Sequence, residues 1–330
     1  MKVMIMGATG FIGKNLLTSL DYDDNEYICL VRKENNHDEL LKYSKLSIQK
    51  VNYEEDDLSN YLYMIDVVIY LIGQMGGYGI EKEAFEKVNC KLTKKVINAV
   101  KHANVKQFIY VSTPGVQGFG KRLCKETEPY APRNIYEQTK AEAEQLIINC
   151  LQETNVNFTI LRPDFVYGPE DYRRIKMYKN IRDKKFVLTT SGNSYLHPTY
   201  VLDVVQGIKC AIGNQKAYNQ IFNISAENDI TVKEYVTTIA NYFGVPLITI
   251  NIGYSLSVCM ATFIEKICNV FLKKDAFVSK SKIDFLAIDH STSIDKAQDL
   301  LKYKPEYDFK RGFEETMKWC IEKNIIKKED

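Results

Sequence analysis

Tyr136 and Lys140 stand four residues apart in Tyr136-Glu137-Gln138-Thr139-Lys140, and residues at i and i+4 share one face of a helix. On that face the ammonium of Lys140 favours the phenolate of Tyr136, which with an ordinary pKa of about 10 is otherwise a poor acid or base near neutrality. Such a pair suits the proton that accompanies oxidation of an alcohol or reduction of a carbonyl. Upstream, Ser112-Thr113 follows an apolar run, where the Thr113 hydroxyl can hold a substrate oxygen by a hydrogen bond. In a chain with 22 tyrosines the Tyr-x-x-x-Lys spacing recurs by chance, so its meaning depends on a second feature, Gly7-Ala8-Thr9-Gly10-Phe11-Ile12-Gly13. That loop lies between the apolar run Val3 to Met6 and the helical Lys14-Asn15-Leu16-Leu17. Strand, glycines and helix in that order combine a tight turn, close backbone approach to a pyrophosphate and the positive end of a helix dipole. Gly13 lets helix and strand pack closely. The chemistry implied is hydride transfer with a nicotinamide dinucleotide.

The end of the second apolar run bears on which dinucleotide is bound, because an acidic residue there pairs with the ribose hydroxyls of NAD. Here the chain reads Cys29-Leu30-Val31-Arg32-Lys33. Arg32 stands about where the acid would be, which fits the 2′-phosphate of NADP through charge-assisted bonds. NADP is the expected cofactor, with NAD the alternative, and an ordinary solvated basic loop is the competing reading of the same residues.

The elements that must position these groups are legible as alternating patterns. Short apolar runs at Val3 to Met6, Tyr27 to Val31, Val67 to Ile72, Phe108 to Val111 and Phe158 to Leu161 alternate with helical stretches at 81–103 and 135–154. This predicts βαβ units and a parallel sheet buried on both faces. After about residue 170 helical stretches dominate, near 200–213, 231–243, 254–272 and 309–324. The expected fold is α/β: a doubly wound parallel sheet in residues 1–170, then a smaller, mostly helical substrate-binding unit in 171–330. The chain is expected to cross back to the sheet near 196–224.

Composition narrows the partners. Hydrophobic residues make up 45% and charged residues 26%, ordinary for a packed protein, and 44 basic against 42 acidic residues leave a net charge of +2. No long-range field attracts nucleic acid or an anionic membrane, so a small-molecule substrate is expected. Eight scattered cysteines without a Cys-x-x-Cys pair suggest neither a metal site nor a disulfide framework, and point to a reducing, cytoplasmic setting. No run is long and apolar enough for a membrane span, and the apolar N-terminus is too short for a signal peptide.

Taken together, these motifs resemble the extended short-chain dehydrogenase/reductase family, of the NAD-dependent epimerase/dehydratase type, from Met1 to about Lys323. Beside the glycine loop and the Tyr136–Lys140 pair, the matching segments are Val88-Asn89, Phe108-Ile109-Tyr110-Val111-Ser112-Thr113 and Leu161-Arg162-Pro163-Asp164-Phe165-Val166-Tyr167-Gly168-Pro169. Ile294-Asp295-Lys296-Ala297 and Leu301-Lys302-Tyr303-Lys304-Pro305 match near the end. The resemblance implies a Rossmann-type sheet and a catalytic group of Thr113, Tyr136 and Lys140, with Thr113 in place of the commoner serine. It places Gly7, Thr9, Gly10, Phe11, Ile12, Gly13, Arg32, Leu71, Gly73, Asn89, Pro163 and Val166 beside the cofactor, together with Tyr136 and Lys140. Gly115, Phe165, Arg173 and His197 fall on the substrate side. It also implies a homodimer through the helices bearing Asn89 and Tyr136.

Departures from the family pattern indicate the substrate. Where dehydratases carry an Asp-Glu pair after the active-site hydroxyl, this chain has Pro114-Gly115, which leaves no carboxylate there to eliminate water. Phe165 replaces the Asn of sugar-nucleotide enzymes and cannot make its hydrogen bond. Leu196 stands where an Arg commonly precedes the His197-Pro198 segment, and the C-terminal Arg before the Asp-Lys-Ala stretch is absent. The pattern is closest to the hydroxysteroid dehydrogenase and dihydroflavonol reductase branch, whose substrates are less polar. The apolar stretch 254–272 is read either as a cover over an apolar pocket or as a core helix. The leading expectation is an NAD(P)-dependent oxidoreductase interconverting a secondary alcohol and a ketone. The alternative is a nucleotide-sugar epimerase retaining NAD, with Arg173 and Arg174 seating the diphosphate; a third reading, a redox sensor without turnover, is at odds with the intact Tyr136 and Lys140.

Overall fold

Seven strands form one parallel sheet in the order β12-β7-β5-β4-β1-β2-β3. They are β1 (Lys2–Met6), β2 (Glu26–Arg32), β3 (Leu46–Val51), β4 (Val67–Tyr70), β5 (Gln107–Val111), β7 (Asn157–Pro163) and β12 (Gln220–Ile224). The computed structural model describes residues 1–20, 25–34, 37–76, 79–268 and 279–327. Every expected apolar run became a strand. The central ones carry no polar alternation because helices cover both faces: Val3, Met4, Ile5 and Met6 are all fully buried. One face packs on α1 (Phe11–Thr18) and α6 (Val201–Ala211) through Leu16, Leu17, Val204, Val205 and Ile208. The other packs on α3 (Thr93–His102) and α4 (Ile135–Leu151) through Val96, Ile97, Ile147 and Leu151. Each fully buried side chain of this kind contributes roughly 1.5–3 kcal/mol by leaving water, and together they fix the sheet on which the loops stand.

Two strands lay outside the run-by-run reading. β3 is an edge strand, Leu46-Ser47-Ile48-Gln49-Lys50-Val51, partly exposed and therefore weakly apolar. β12 pairs in parallel with β7, from Gln220 opposite Thr159 to Ile224 opposite Pro163, so the chain does return to the sheet within the expected interval.

The helix expected over 81–103 is broken into α2 (Lys82–Phe85), a π-helical stretch Glu86–Leu92, and α3. The wide turn brings Asn89 inward to 1% exposure, a common reason for such an insertion beside a functional site.

From Val166 onward, short strands β8 (Val166–Tyr167), β9 (Val187–Leu188), β10 (Tyr195–Leu196), β11 (Thr199–Tyr200), β13 (Ile230–Thr231), β14 (Ile248–Thr249) and β15 (His290–Thr292) join small sheets. They alternate with α5 (Ile175–Arg182), α7 (Val232–Tyr242), α8 (Tyr254–Ile267), α9 (Lys280–Ala287) and α10 (Phe309–Glu322). One small sheet takes β6 (Lys121–Cys124) from the first half, in parallel beside β15. The core here is aromatic, with Tyr178, Tyr235, Phe309 and Phe313 packed ring against ring.

Of the two expectations for the apolar stretch 254–272, the core helix is corrected where the stretch is described; 269–272 lie outside the described residues. α8 buries only Ser257 and Ala261, small residues one turn apart whose size lets the helix approach the backbone at Thr189, to which Ser257 donates. Its large apolar residues Leu256, Met260 and Phe263 point outward, so the described part is not a core helix, and none of its residues lines the cleft described below. Among the described residues no helix is long and apolar enough to cross a membrane.

Candidate active site

The sheet order reverses between β1 and β4, and in open parallel sheets ligands bind at the carboxyl ends of strands beside such a reversal. A cleft of about 520 Å³ lies there. Its floor comes from the loops after β1, β4, β5 and β7, and one wall from α4.

At one end Gly7, Gly10, Phe11, Ile12 and Gly13 face Leu71, Gly73, Pro163 and Val166. Gly7 has φ +95°, a left-handed conformation suited to glycine, and donation from Gly10 N–H to Gly7 O at 3.0 Å closes the turn. A Cβ on Gly13 would overlap the Gly7 carbonyl oxygen and the Ala8 backbone, so only glycine lets α1 approach β1 this closely. The first-turn N–H groups of α1 have no partners within the helix and point to this end. Beside them Gly73 leaves space where a Cβ would stand 3.7 Å from Asn89 Oδ1 and 3.9 Å from Lys140 Nζ. A backbone cradle of this kind, with helix N–H groups and no carboxylate among its lining residues, fits a dinucleotide pyrophosphate.

Asn89 does not reach the cleft itself. Its Oδ1 accepts from Gln74 N–H at 2.7 Å, and its Nδ2 donates to Gln74 O at 3.1 Å and to Thr139 Oγ1 at 2.9 Å. It ties the loop after β4 to α4. Thr9 lies in a neighbouring depression with Lys14 and Glu39. Arg32 is exposed at the end of β2, outside the cleft lining and without an ion-pair partner among the described residues, whereas Lys33 is held by Asp56 at 3.2 Å.

The middle of the cleft brings Thr113, Tyr136 and Lys140 together, as the i, i+4 spacing requires. Asn134 caps α4 by accepting from Glu137 N–H at 3.0 Å, and Glu137 accepts from Arg133 N–H at 2.7 Å, so the helix starts one residue before Tyr136. Lys140 Nζ donates to Val111 O at 2.7 Å and sits 4.0 Å over the Tyr110 ring. Burial presses its pKa down to about 7, against the pull of Glu144. Loss of water pushes Tyr136 up to about 12, and the cation that opposes this is Arg173. The spacing put Lys140 in that role; in the structure a strand carbonyl holds its ammonium. Thr113 Oγ1 accepts from Gly115 N–H at 3.2 Å, which leaves its own O–H able to donate into the cleft. A Cβ on Gly115 would come within 2.9 Å of the Glu137 side chain, so Gly115 shapes the wall rather than contacting through a side chain.

The far end is lined by Phe119, Asp164, Phe165, Arg174, Phe285 and His290, while Arg173 reaches back toward the glycine turn, its guanidinium 5.9 Å over the Phe11 ring. Phe165 has φ +33°, a conformation that asparagine tolerates and a bulky residue rarely adopts. Its ring lies 4.6 Å from Phe285 and 3.7 Å from the Arg174 guanidinium. Both arginines are tied to the buried carboxylate of Asp171, Arg173 at 2.9 Å and Arg174 at 3.1 Å, and Arg174 also donates to Val166 O. The structure does not bring His197 to the cleft. It is 1% exposed with Nδ1 3.1 Å from Thr292 O, where it joins the segment before β11 to β15.

Several lining residues were not singled out from sequence: Met75, Ser112, Phe119, Glu137, Asp164, Phe285 and His290. Ser112 and Asp164 sit inside matched segments, which was a usable signal. Phe119, Phe285 and His290 carry none, because they come from loops far apart in the chain.

Residues 3–225 match the NAD dependent epimerase/dehydratase family. Among curated proteins, sterol-4-alpha-carboxylate 3-dehydrogenase, decarboxylating, from Candida albicans is 25% identical over 97% of this chain and 97% of its own. UDP-glucose 4-epimerase from Vibrio cholerae is also 25% identical, over 98% of this chain and 96% of its own. Among solved structures, UDP-glucuronic acid 4-epimerase from Bacillus cereus, in complex with UDP-glucuronic acid and NAD, superposes with a TM-score of 0.78. It is 21% identical and covers 99% of this chain and 100% of that one, a likeness of fold.

Proposed function

We propose a specific reaction for a chain that belongs to the NAD dependent epimerase/dehydratase family and is accordingly an NAD(P)-dependent enzyme of the extended short-chain dehydrogenase/reductase type: interconversion of a secondary alcohol and a ketone, or reduction of a carbonyl, on a small substrate of low charge. The observation that carries this reading is the far end of the cleft. Three phenylalanines line it, and the two arginines that could seat a diphosphate share the Asp171 carboxylate.

When bound, the nicotinamide supplies or accepts the hydride. Tyr136 handles the proton. With its pKa pushed up to about 12 the phenol is protonated near neutrality, ready to give its proton to a carbonyl oxygen as negative charge builds there. Thr113 donates to the same oxygen and orients it. Lys140, fixed on Val111 O, presents its remaining N–H groups to the cofactor side of the cleft. Gly7, Gly10, Phe11, Ile12 and Gly13 hold the pyrophosphate, Leu71, Gly73, Pro163 and Val166 bracket the rest of the cofactor, and Asn89 positions the Gln74 backbone beside it. Arg32, without an ion-pair partner among the described residues and standing where an acid would select NAD, supports NADP as the preferred form.

Residues 1–170 serve as the cofactor-binding unit and 171–330 as the substrate-binding unit, with β12 returned to the first, and the active form is a homodimer. The test is spectrophotometric: NADPH oxidation with a panel of alicyclic ketones, alongside release of any bound nucleotide from the purified protein. Ketone-dependent oxidation with exchangeable NADP supports the reading. Firmly retained NAD with interconversion of a UDP-hexose and no ketone reduction overturns it in favour of the epimerase, the reading that Arg173 and Arg174 in the cleft lining favour.

A further inference from the structure

Among the described residues, the lysine and arginine side chains that line the cleft are Lys140, Arg173 and Arg174. Two of them are fully engaged. Lys140 is fixed on Val111 O and sits over Tyr110. Arg174 donates from Nε and Nη2 to Val166 O, pairs with Asp171 and covers the Phe165 ring. Arg173 differs. Its main-chain N–H and its Nε both donate to Asp171 Oδ1, at 3.3 and 2.9 Å, which anchors the base of the guanidinium on a buried carboxylate. Beyond that anchor the Nη1–Nη2 edge meets no oxygen acceptor among the described residues. Nη1 is set against the Met75 thioether, a weak acceptor, and the side chain is about half exposed.

The place of that edge gives it a meaning. Phe11, under the guanidinium, opens α1 directly after Gly10, and Met75 follows Gly73 in the loop after β4. Arg173 therefore extends from the second half of the chain to the backbone cradle of the first. The same cation acts on Tyr136, so it is within electrostatic reach of both the glycine turn and the reacting phenol. The cradle has little other positive charge. Lys14, next after Gly13, lies off the cleft lining and is taken by Glu39 at 2.7 Å and Glu170 at 3.0 Å. Helix N–H groups supply hydrogen bonds and a partial charge, whereas a pyrophosphate carries full ones. The paired N–H groups of an arginine edge match phosphate oxygens in geometry as well as in charge.

We propose that Arg173 belongs to the cofactor and not to the substrate: its Nη1–Nη2 edge exchanges the Met75 sulfur for the pyrophosphate bridge of the bound dinucleotide, on the phosphate nearer the nicotinamide. It is a clasp laid over the cradle from the second half of the chain. Asp171 sets its direction, and Arg174 stays behind in the far-end wall. NAD and NADP share the bridge, so the clasp is indifferent to the 2′-phosphate, independent of Arg32, and equally useful to a reductase or an epimerase. A substrate diphosphate offers the same chemistry, and the choice of ligand tells the two sources apart.

Equilibrium titration tests this without turnover, using NAD, NADP, ADP-ribose, UDP and adenosine 2′,5′-bisphosphate, which lacks the second phosphate of the bridge. Arg173→Met should weaken NAD, NADP and ADP-ribose by one common factor of about tenfold, the low end for a charge-assisted contact at a half-exposed site. That factor should shrink as salt is raised. Adenosine 2′,5′-bisphosphate and UDP should change by less than about twofold, within the spread of substitutions that remove no contact. Arg173→Lys keeps a cation beside Asp171 and gives up the paired edge. It should show a smaller common loss for the same three ligands, and it carries the test if Arg173→Met does not fold. Unchanged affinity for ADP-ribose overturns the clasp. So does a loss confined to UDP, which would assign the guanidinium to a substrate diphosphate, or an equal loss for the bisphosphate, which would reflect a diffuse field or a disturbed fold.

Discussion

At the Gly7–Gly13 end of the cleft the wall is main chain, and at the end bounded by Phe119, Phe285 and His290 it is side chain. The first is a single local turn and one helix start, held by a bond from Gly10 N–H to Gly7 O and by close packing that admits no Cβ at position 13. The second is assembled from the loops after β5 and β7, from α9 and from β15. A backbone cradle recognises what all dinucleotides share. A side-chain wall can be altered residue by residue without disturbing the turn, which is how one family accommodates dehydrogenases and epimerases at comparable distance from this chain.

The division between the ends runs through Tyr136. Tyr136→Phe should lower kcat by about 10²–10⁴ while leaving dinucleotide affinity nearly unchanged, measured by NADPH oxidation and fluorescence titration. Turnover within a fewfold of wild type would remove the boundary. Gly13→Ala should destabilise the protein by about 1–3 kcal/mol, because the clash is with backbone that cannot swing aside, and should weaken the dinucleotide in parallel. Thermal melting with and without cofactor reads both effects; an unaffected Kd would mean that the cradle does not hold the pyrophosphate. Arg32→Asp should shift the ratio of NADP to NAD affinity by about tenfold or more toward NAD, the loss of one charge-assisted contact. An unchanged ratio would make Arg32 part of an ordinary solvated loop.

A further effect is at the side-chain end and depends on pH. Burial raises the Asp164 carboxyl to about 8, so between about pH 4 and pH 8 the folded protein holds a proton that the unfolded chain has released. Its contribution to stability is therefore full at low pH and declines as pH rises through that window, with a slope of at most about 1.4 kcal/mol per unit. Asp164→Asn, which keeps a neutral side chain of the same shape, should flatten the decline. Melting temperatures of both proteins at intervals from pH 5 to pH 8 would check it, and parallel curves would place the titration elsewhere.

What could be read from the sequence follows the same division. The strands, the glycine turn and the Tyr136–Lys140 spacing are enforced locally, by burial on both faces, by positive φ and by helical repeat, and each left its mark in adjacent residues. The interior of β3 left little because an edge strand need not be apolar. The direction of the Lys140 ammonium was invisible because it depends on Val111 O, 29 positions away. His197 looked available and is enclosed, while His290 looked ordinary and lines the cleft; only the packing of β15 against β10 and β6 distinguishes them. The outward face of α8 shows the limit from the other side, since an apolar stripe at helical spacing says that a face exists and not which way it turns.

The exchange of strands between the halves has a practical consequence. β12 leaves the second half to pair with β7, and β6 leaves the first to pair with β15, so the chain resembles two hands with interlaced fingers. A fragment ending near residue 170 would expose the flank of β7 as an unpaired ribbon edge, prone to recruit another chain. Split-protein reporters and stepwise domain grafting are poorly suited to such a molecule, and it should respond to heat or denaturant as one cooperative unit.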